Sequence, residues 1–185
     1  MHRRPPAWYL LVAAAVGSAR LGELLISRRN LRLRGAELIP DDGFRAIVAL
    51  HLALGGLPVA ENAVRGWRRS RWVPVWAGLL TLATGLRWWS IASLGRSWSA
   101  RVARVDNVST RGPYRWIRHP NYLALIVEFF AGPALAGAWL SAVLLSALHG
   151  AVIWRRIRLE EATLAEVPDY RDRFGARARF IPGFF

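Results

Sequence analysis

The sequence predicts an all-α, polytopic integral membrane protein with about five transmembrane helices, organised as one domain over residues 1–185. Of its 185 residues, 54% are hydrophobic and ten are Trp, which is more apolar than an ordinary soluble domain. Only 21% are charged, although the net charge is +14. Apolar segments must therefore alternate with short basic connections, as they do in membrane proteins.

Five apolar segments, each near the length that spans a bilayer, follow one another along the chain. They lie at about 6–27, 43–63, 72–94, 121–137 and 139–157. The chain starts like a secretory signal, but the apolar run continues to Ile26, which favours an uncleaved first helix. The fourth segment is short and contains Pro133, which should kink it or end it early. A turn near Ala138 then joins the last two segments as a hairpin.

The distribution of arginine predicts the orientation in the membrane. The connection between the last two segments carries no charge, so we expect it outside. The segments 28–42, 95–118 and 158–185 hold far more arginine than the N-terminal residues and the loop 64–71. By the positive-inside rule, the 95–118 loop and the 158–185 tail of this multi-pass protein are cytoplasmic.

The composition also excludes several function classes. All 26 basic residues are Arg, they lie mainly between apolar segments, and no nucleic-acid-binding motif accompanies them, so we expect no nucleic-acid partner. The absence of Cys excludes disulfides and thiol catalysis. The four His residues are scattered over different segments, so we expect no metal site.

Two polar motifs flank the last two apolar segments. GPYRWIRHPNY occupies 112–122, and RRIRLEEATL occupies 155–164. Pro120 suits the first position of a helix, which puts His119 at the cap. In a hairpin, both motifs reach the same membrane face, where Arg156 and Glu160 lie one turn apart on one helix face. The residues alone leave two interpretations open, because Arg156 and Glu160 could also form an ordinary surface ion pair worth a few tenths of a kcal/mol.

These motifs resemble the isoprenylcysteine carboxyl methyltransferase family, integral membrane enzymes that use S-adenosylmethionine. The resemblance consists of RHPNY, the apolar hairpin and R-x-x-x-E-E-x-x-L, and it extends back to Thr110, Gly112 and Tyr114. The N-terminal part, with RLGELLISRRN at 20–30 and His51, is similar to the short bacterial branch found beside type III polyketide synthases. The resemblance thus implies a functional link to such a synthase.

The resemblance also implies roles for individual residues. Arg156 and Glu160 are expected to be catalytic, Arg156 by contacting the substrate and Glu160 by contacting the cofactor. S-adenosylmethionine is the implied cofactor and S-adenosylhomocysteine its product. The other expected cofactor contacts are Asp106, Asn107, Val108, Ser109, Tyr114, His119, Pro120, Asn121 and Tyr122.

Ionisable residues within the apolar segments are candidates for function, since burying charge in a membrane is costly. Arg20 and Glu23 are spaced to neutralise each other, and His51 can be a hydrogen-bonded neutral imidazole. Arg87 is expected to snorkel or to stack on an aromatic ring. Glu128 lies two turns into the fourth helix, where it could bond a neighbouring helix or line the substrate cavity.

The function predicted from the sequence is methyl transfer to an oxygen of a lipophilic acceptor at the membrane. The acceptor would be a carboxylate, enol or phenol of an isoprenoid or of a long-chain polyketide such as an alkylpyrone, entering laterally from the lipid. Methyl transfer from a sulfonium mainly needs an oxygen held close and in line. The alternatives are a lipid amine N-methyltransferase, a reductase on a related scaffold, and a non-catalytic membrane scaffold protein.

Overall fold

The computed structural model describes residues 4–67 and 71–183, and within these ranges the fold is all-helical with no strands. Three residues of the loop 64–71 and the last two of the predicted tail lie outside them. The α-helices are α1 (Ala7–Arg34), α2 (Phe44–Arg65), α3 (Val73–Leu94), α4 (Pro120–Leu135), α5 (Trp139–Leu164) and α6 (Tyr170–Phe174). Short 3-10 turns lie at Gly95–Ser97 and Gly112–Arg115.

Within the described ranges, three helices, α1, α2 and α5, are long and apolar enough to cross a membrane. The helix α4 is apolar but shorter. A helix needs roughly 20 apolar residues to span the hydrocarbon core. The expected count of about five spans therefore stays a prediction for α3 and α4.

Two helices run further than their apolar segments. The helix α1 ends at Arg34 instead of residue 27, and α5 ends at Leu164 instead of residue 157. The first extension, 28–34, is rich in Arg and Leu, and the second, 158–164, consists mainly of Leu and Glu. These residues are good helix formers and continue the hydrogen-bonded ladder into water. The predicted tail therefore begins inside α5. The helix α4 ends two residues after Pro133, as that residue led us to expect.

The helix α4 lies at the centre of the molecule and packs against both α3 and α5. Its side chains at Ala124, Phe129 and Ala134 are 0% exposed. Small residues on this helix let neighbouring backbones approach closely, which is how helices pack in a membrane. The start of α4 is thereby fixed relative to the end of α5.

The helix α1 makes a different kind of contact with the rest of the molecule. Its buried side chains are Tyr9, Glu23, Ser27 and Asn30, three of which are polar. Beyond the helix, Leu38 and Ala103 form an isolated antiparallel bridge. The helix α1 and the segment after it are thus attached to the 95–118 loop mainly by hydrogen bonds.

The C-terminal tail returns to the start of α4. The backbone N–H of Arg118 donates to the carbonyl of Ala178 at 2.9 Å, and that of His119 donates to the carbonyl of Arg179 at 3.0 Å. The first backbone N–H groups of a helix have no acceptor within the helix, and the N–H groups of the residues just before the helix often lack one too. The tail supplies acceptors here and covers the beginning of α4.

Candidate functional site

The two sequence motifs meet at the hydroxyl of Tyr122. This hydroxyl donates a hydrogen bond to the carboxylate of Glu160 and accepts one from Nε of Arg156 at 2.9 Å. Arg156 and Glu160 are one turn apart on α5, and Tyr122 lies in the first turn of α4. The structure therefore brings together the cation and the carboxylate that the sequence placed on one helix face.

Arg156 is buried and has every nitrogen of its guanidinium engaged. Besides the bond from Nε, its Nη1 donates to the carbonyl of Asp42 at 3.1 Å and its Nη2 donates to the carbonyl of Ala100. The carboxylate of Asp42 lies 3.7 Å from Nη1. Arg156 thus fixes the segment before α2 and the 95–118 loop around the site. Sequence reasoning missed both partners, because they lie in irregular segments far away in the chain.

Asp42 is the buried anion of this arrangement. Burial opposes its ionisation, but its pKa is held below the ordinary value by hydrogen bonds from the side chain of Arg101 and the backbone N–H groups of Val102 and Phe44, and by the charge of Arg156. The bond from Arg101 is 2.7 Å long. Asp42 is therefore ionised at neutral pH and can balance both arginines.

Glu161 organises the other side of the site. Its carboxylate lies 3.1 Å from Nε2 of His119, 3.3 Å from Nη1 of Arg118 and 2.7 Å from Nη2 of Arg179. Adjacent residues on a helix point in different directions, about 100° apart, so Glu160 and Glu161 serve different groups. Sequence reasoning assigned a role to Glu160 and none to Glu161. The paired glutamates beside several arginines were the pattern that could have indicated the second role.

A polar cavity opens beside these residues. It is lined by six of the residues predicted for the site, namely Tyr114, His119, Asn121, Tyr122, Arg156 and Glu160, and also by Arg34, Arg101 and Arg118. A second cavity adjoins it and shares Tyr114 and Glu160 with it. This second cavity is lined by Asn107, Val108 and Ser109 and by the rings of Tyr114, Tyr170 and Phe174.

Three residues predicted for the site line neither of these two cavities. Asp106 is exposed on the 95–118 loop and borders neither polar space. Pro120 is buried as the first residue of α4, where it starts the helix. Glu128 lies further along α4 and borders a different, largely apolar cavity together with His51.

An apolar groove of about 370 Å³ lies between α1 and α2. Its walls include Leu21 and Leu24 of α1 and Val48 and Leu52 of α2. The groove and the polar cavity share Trp98, Ser99, Asn121, Tyr122 and Arg156. A polar space and an apolar space therefore meet at the start of α4.

Charged side chains lie along the inner wall of the groove. Glu23 accepts two hydrogen bonds from Arg87, and it lies 3.1 Å from Arg20. Arg87 also donates to the side-chain oxygen of Asn121 at 3.0 Å. The Arg20–Glu23 pair is confirmed, but the expectation for Arg87 was wrong. A buried carboxylate within reach neutralises Arg87, so it neither snorkels to water nor stacks on a ring.

Glu128 and His51 are both held by neighbouring groups. Glu128 accepts hydrogen bonds from Arg20 at 3.4 Å and from Thr84 at 3.2 Å, so it links α4 to α1 and α3. Nδ1 of His51 lies 2.8 Å from the carbonyl of Ile47, and its ring meets Phe129 edge-on. Both have structural partners, and both also border cavities.

Comparison with known proteins indicates the class to which this fold and site belong. Residues 76–166, just under half of the chain, match the isoprenylcysteine carboxyl methyltransferase (ICMT) family. The match includes most of α3, the 95–118 loop, α4 and all of α5. It supports this family, and with it a membrane methyltransferase.

Two individual proteins are also similar to the chain. The uncharacterized protein YpbQ of Bacillus subtilis is 28% identical over 167 residues, which are 86% of this chain and 97% of YpbQ. The cobalt-zinc-cadmium resistance protein CzcN of Cupriavidus metallidurans is 31% identical over 120 residues, which are 63% of this chain and 54% of CzcN. The similarity to YpbQ thus extends well beyond the part that matches the family.

Proposed function

We propose that this protein transfers a methyl group from S-adenosylmethionine to an oxygen of a lipophilic acceptor, at the cytoplasmic face of a bacterial membrane. The observation that carries the proposal is the meeting of the polar cavity and the apolar groove at Asn121, Tyr122 and Arg156. A water-soluble cofactor and a lipid-soluble acceptor need separate approaches and a shared point of contact. This arrangement provides both.

The residues around the polar cavity fit S-adenosylmethionine. Glu160 is a carboxylate that can bind ribose hydroxyls or the cofactor's ammonium group. In the adjoining cavity, Tyr114, Tyr170 and Phe174 form an apolar cluster suited to a purine ring. Burial raises the pKa of Tyr114 above its ordinary value, so this residue presents a neutral ring. Both the polar and the flat parts of the cofactor therefore have matching side chains.

The groove fits the chain of a lipid. Its walls are largely apolar, and Leu21 and Leu52 at its edge are well exposed in a part of the molecule that faces lipid in the five-span topology. An acceptor whose tail lies in the groove has its head near Asn121, Tyr122 and Arg156. The acceptor can then enter sideways from the bilayer without crossing water.

The reaction requires the protein mainly to position the cofactor and the acceptor. S-adenosylmethionine supplies a methyl group on a cationic sulfur, and the acceptor oxygen takes it as the carbon–sulfur bond breaks with its electron pair on sulfur. Holding the reacting atoms close and aligned can supply a large part of the rate gain. The positive charge of Arg156 favours an ionised acceptor oxygen, while Asn121 and Tyr122 border the same point.

An oxygen acceptor suits the junction better than an amine. Arg156 borders both the groove and the polar cavity, and a cation at that point disfavours an ammonium head group. Carboxylates, enols and phenols carry an oxygen that can be anionic. We therefore propose an isoprenoid or long-chain polyketide acceptor, such as an alkylpyrone made by a type III polyketide synthase.

The first test is cofactor binding by the purified protein in detergent. Calorimetric titration with S-adenosylhomocysteine should give saturable binding, and S-adenosylmethionine with a radiolabelled methyl group should label a long-chain alkylpyrone. A well-folded sample that binds neither S-adenosylmethionine nor S-adenosylhomocysteine would reject the proposal and favour a non-catalytic scaffold.

The second test separates the groove from the cofactor cavity. A side chain at Gly17 would enter open space in the groove, since no atom lies within 4 Å of the Cβ position. Gly17→Phe should raise the KM for the lipid acceptor and leave the affinity for S-adenosylhomocysteine unchanged. Gly78→Phe is the control, because Gly78 also has open space around its Cβ position but borders none of the cavities described above.

A further inference from the structure

A stripe of polar side chains on α1 faces the 95–118 loop. The hydroxyl of Ser27 accepts a hydrogen bond from the backbone N–H of Ala100 at 2.9 Å. One turn later, the amide of Asn30 donates to the carbonyls of Gly95 at 3.1 Å and Trp98 at 2.9 Å. Residues three and four apart share a helix face, so the next member of this stripe is Arg34.

The chain immediately after Arg34 is also fixed. Gly35 ends α1 in the left-handed region, with φ of 56°, and its N–H donates to the carbonyl of Arg32. The backbone N–H of Ile39 then donates to the carbonyl of Val102 at 2.9 Å. Arg34 is therefore held between two attachments to the same loop, at the edge of the polar cavity.

The guanidinium of Arg34 has an unused edge. Its Nε and Nη2 are both buried, and neither has a hydrogen-bond partner in residues 4–67 and 71–183. These two nitrogens form one side of the guanidinium fork, which binds both oxygens of a carboxylate at once. Buried donors of this kind are normally satisfied, so the open edge calls for an anion.

The other arginines of the polar cavity already have carboxylate partners. Arg101 lies 2.7 Å from Asp42, Arg118 lies 3.3 Å from Glu161, and Arg156 lies 3.7 Å from Asp42. Within the described ranges, Arg34 makes no ion pair. The cavity thus combines the carboxylate of Glu160 with Arg34, a cation that has no carboxylate partner in residues 4–67 and 71–183.

We propose that Arg34 binds the carboxylate of the methionine part of S-adenosylmethionine. The inference rests on the proposed function, since it concerns the same cavity. The cofactor carries one carboxylate, and the side-on edge of Arg34 is the donor pair that matches it. Arg34 lies before residues 76–166, so the match to the ICMT family does not include it.

A purely structural role for Arg34 has different consequences. A cation in the last turn of a helix is favoured by the helix dipole, and it also acts as an anchor at the membrane surface. In that case Arg34→Ala would weaken the fold slightly and affect every ligand alike. If Arg34 instead recognises a carboxylate, its substitution should weaken the binding only of ligands that carry a carboxylate.

The test uses three ligands that differ in this group. S-adenosylhomocysteine has the carboxylate, decarboxylated S-adenosylhomocysteine lacks only that group, and 5′-methylthioadenosine lacks the whole amino-acid part. Calorimetric titration of each is carried out on the full chain in detergent, for the parent protein, Arg34→Ala and Arg34→Lys. The matched control is Arg32→Ala, which removes an exposed arginine from the same last turn of α1.

Arg34→Ala should weaken S-adenosylhomocysteine binding by roughly 10- to 150-fold, the usual range for a charge-assisted contact. Its affinity for the two ligands without a carboxylate should stay within about twofold of the parent value, which also shows that the variant is folded. Arg34→Lys should fall between, since a lysine keeps the charge and loses the fork. Arg32→Ala should match the parent.

Two results would overturn the inference, and a third would remove its basis. Unchanged S-adenosylhomocysteine binding by Arg34→Ala would show that Arg34 does not hold the carboxylate. Equal losses for all three ligands would assign Arg34 a structural role. If the parent protein binds none of the ligands, the proposed function fails, and the inference fails with it.

Discussion

The helices α1 and α4 are both apolar, yet they are held in the molecule by different forces. The helix α4 is enclosed by α3 and α5, and its packing leaves Phe129 with no exposure. The helix α1 is attached through Glu23, Ser27 and Asn30 and stays away from α2 along the groove. The close packing of α4 gives the site a rigid support. The few polar contacts of α1 leave space between α1 and α2 for a lipid-soluble molecule.

The largest loss of stability is expected from breaking the buried ion pair that attaches α1 to α3. Arg87→Ala leaves Glu23 without its bidentate partner, and removing one member of a buried ion pair costs about 3–5 kcal/mol. The midpoint of thermal unfolding in detergent should fall accordingly. The control is Arg65→Ala, which removes a largely exposed partner of Glu61 and should cost less than about 1 kcal/mol. Equal losses would mean that charge pairing does not hold α1.

The next largest effect is expected on ligand binding and methyl transfer at the site beside α4. Glu160→Gln should weaken S-adenosylmethionine binding by roughly 10- to 150-fold, about 1.5–3 kcal/mol, because it removes a charged contact in a partly dry cavity. Arg156→Lys should retain cofactor binding and lose methyl transfer. Glu166→Gln is the exposed control on the same side of the molecule. Parent-like binding and turnover in both site variants would refute these assignments.

The hydrogen bonds of α1 should each contribute less than its charge pair. Asn30→Ala removes two bonds to backbone carbonyls of the 95–118 loop and should cost about 1–3 kcal/mol. Amide hydrogen exchange should rise in that loop and remain unchanged in α4. If hydrogen exchange rose equally in α4, the loop and α4 would unfold together. The different contacts of α1 and α4 would then not correspond to different local stabilities.

The smallest effect is a dependence on acid pH at Asp42. Its folded-state pKa is lowered, so its contribution to stability is present above the unfolded pKa of about 3.9 and is lost as pH falls through the folded value. Asp42→Asn should be less stable than the parent at pH 7, and the difference should shrink below about pH 4. A constant difference from pH 7 to pH 3 would contradict this.

The sequence could predict the parts of the site that depend on helix periodicity. A proline start, a helix face and two apolar segments of similar length were enough to bring the motif around His119 to the same end of the hairpin as Arg156 and Glu160. The lengths of α1 and α5 could not be predicted from hydropathy, because hydropathy follows the thickness of the lipid core and a helix continues into water where its residues favour it.

The remaining contacts depend on the conformation of irregular segments and on partners far apart in the sequence. Arg87 and Glu23 are separated by 64 positions, and no local pattern links them. Arg156 is bound by the backbone carbonyls of Asp42 and Ala100, and any residue type would supply those atoms. In the sequence, Arg34 is one of several arginines in the 28–42 segment, and only the folded loop opposite it distinguishes it from the others.

The return of the tail to the start of α4 has a consequence for biosynthesis. The backbone amides of Arg118 and His119 are bound by the carbonyls of Ala178 and Arg179, and the side chain of Arg179 binds Glu161. During translation, α4 and α5 are therefore made before the groups that fix the beginning of α4. The contacts beside the polar cavity are complete only when residue 179 has left the ribosome, so a nascent chain still being inserted into the membrane has its apolar helices before these contacts form.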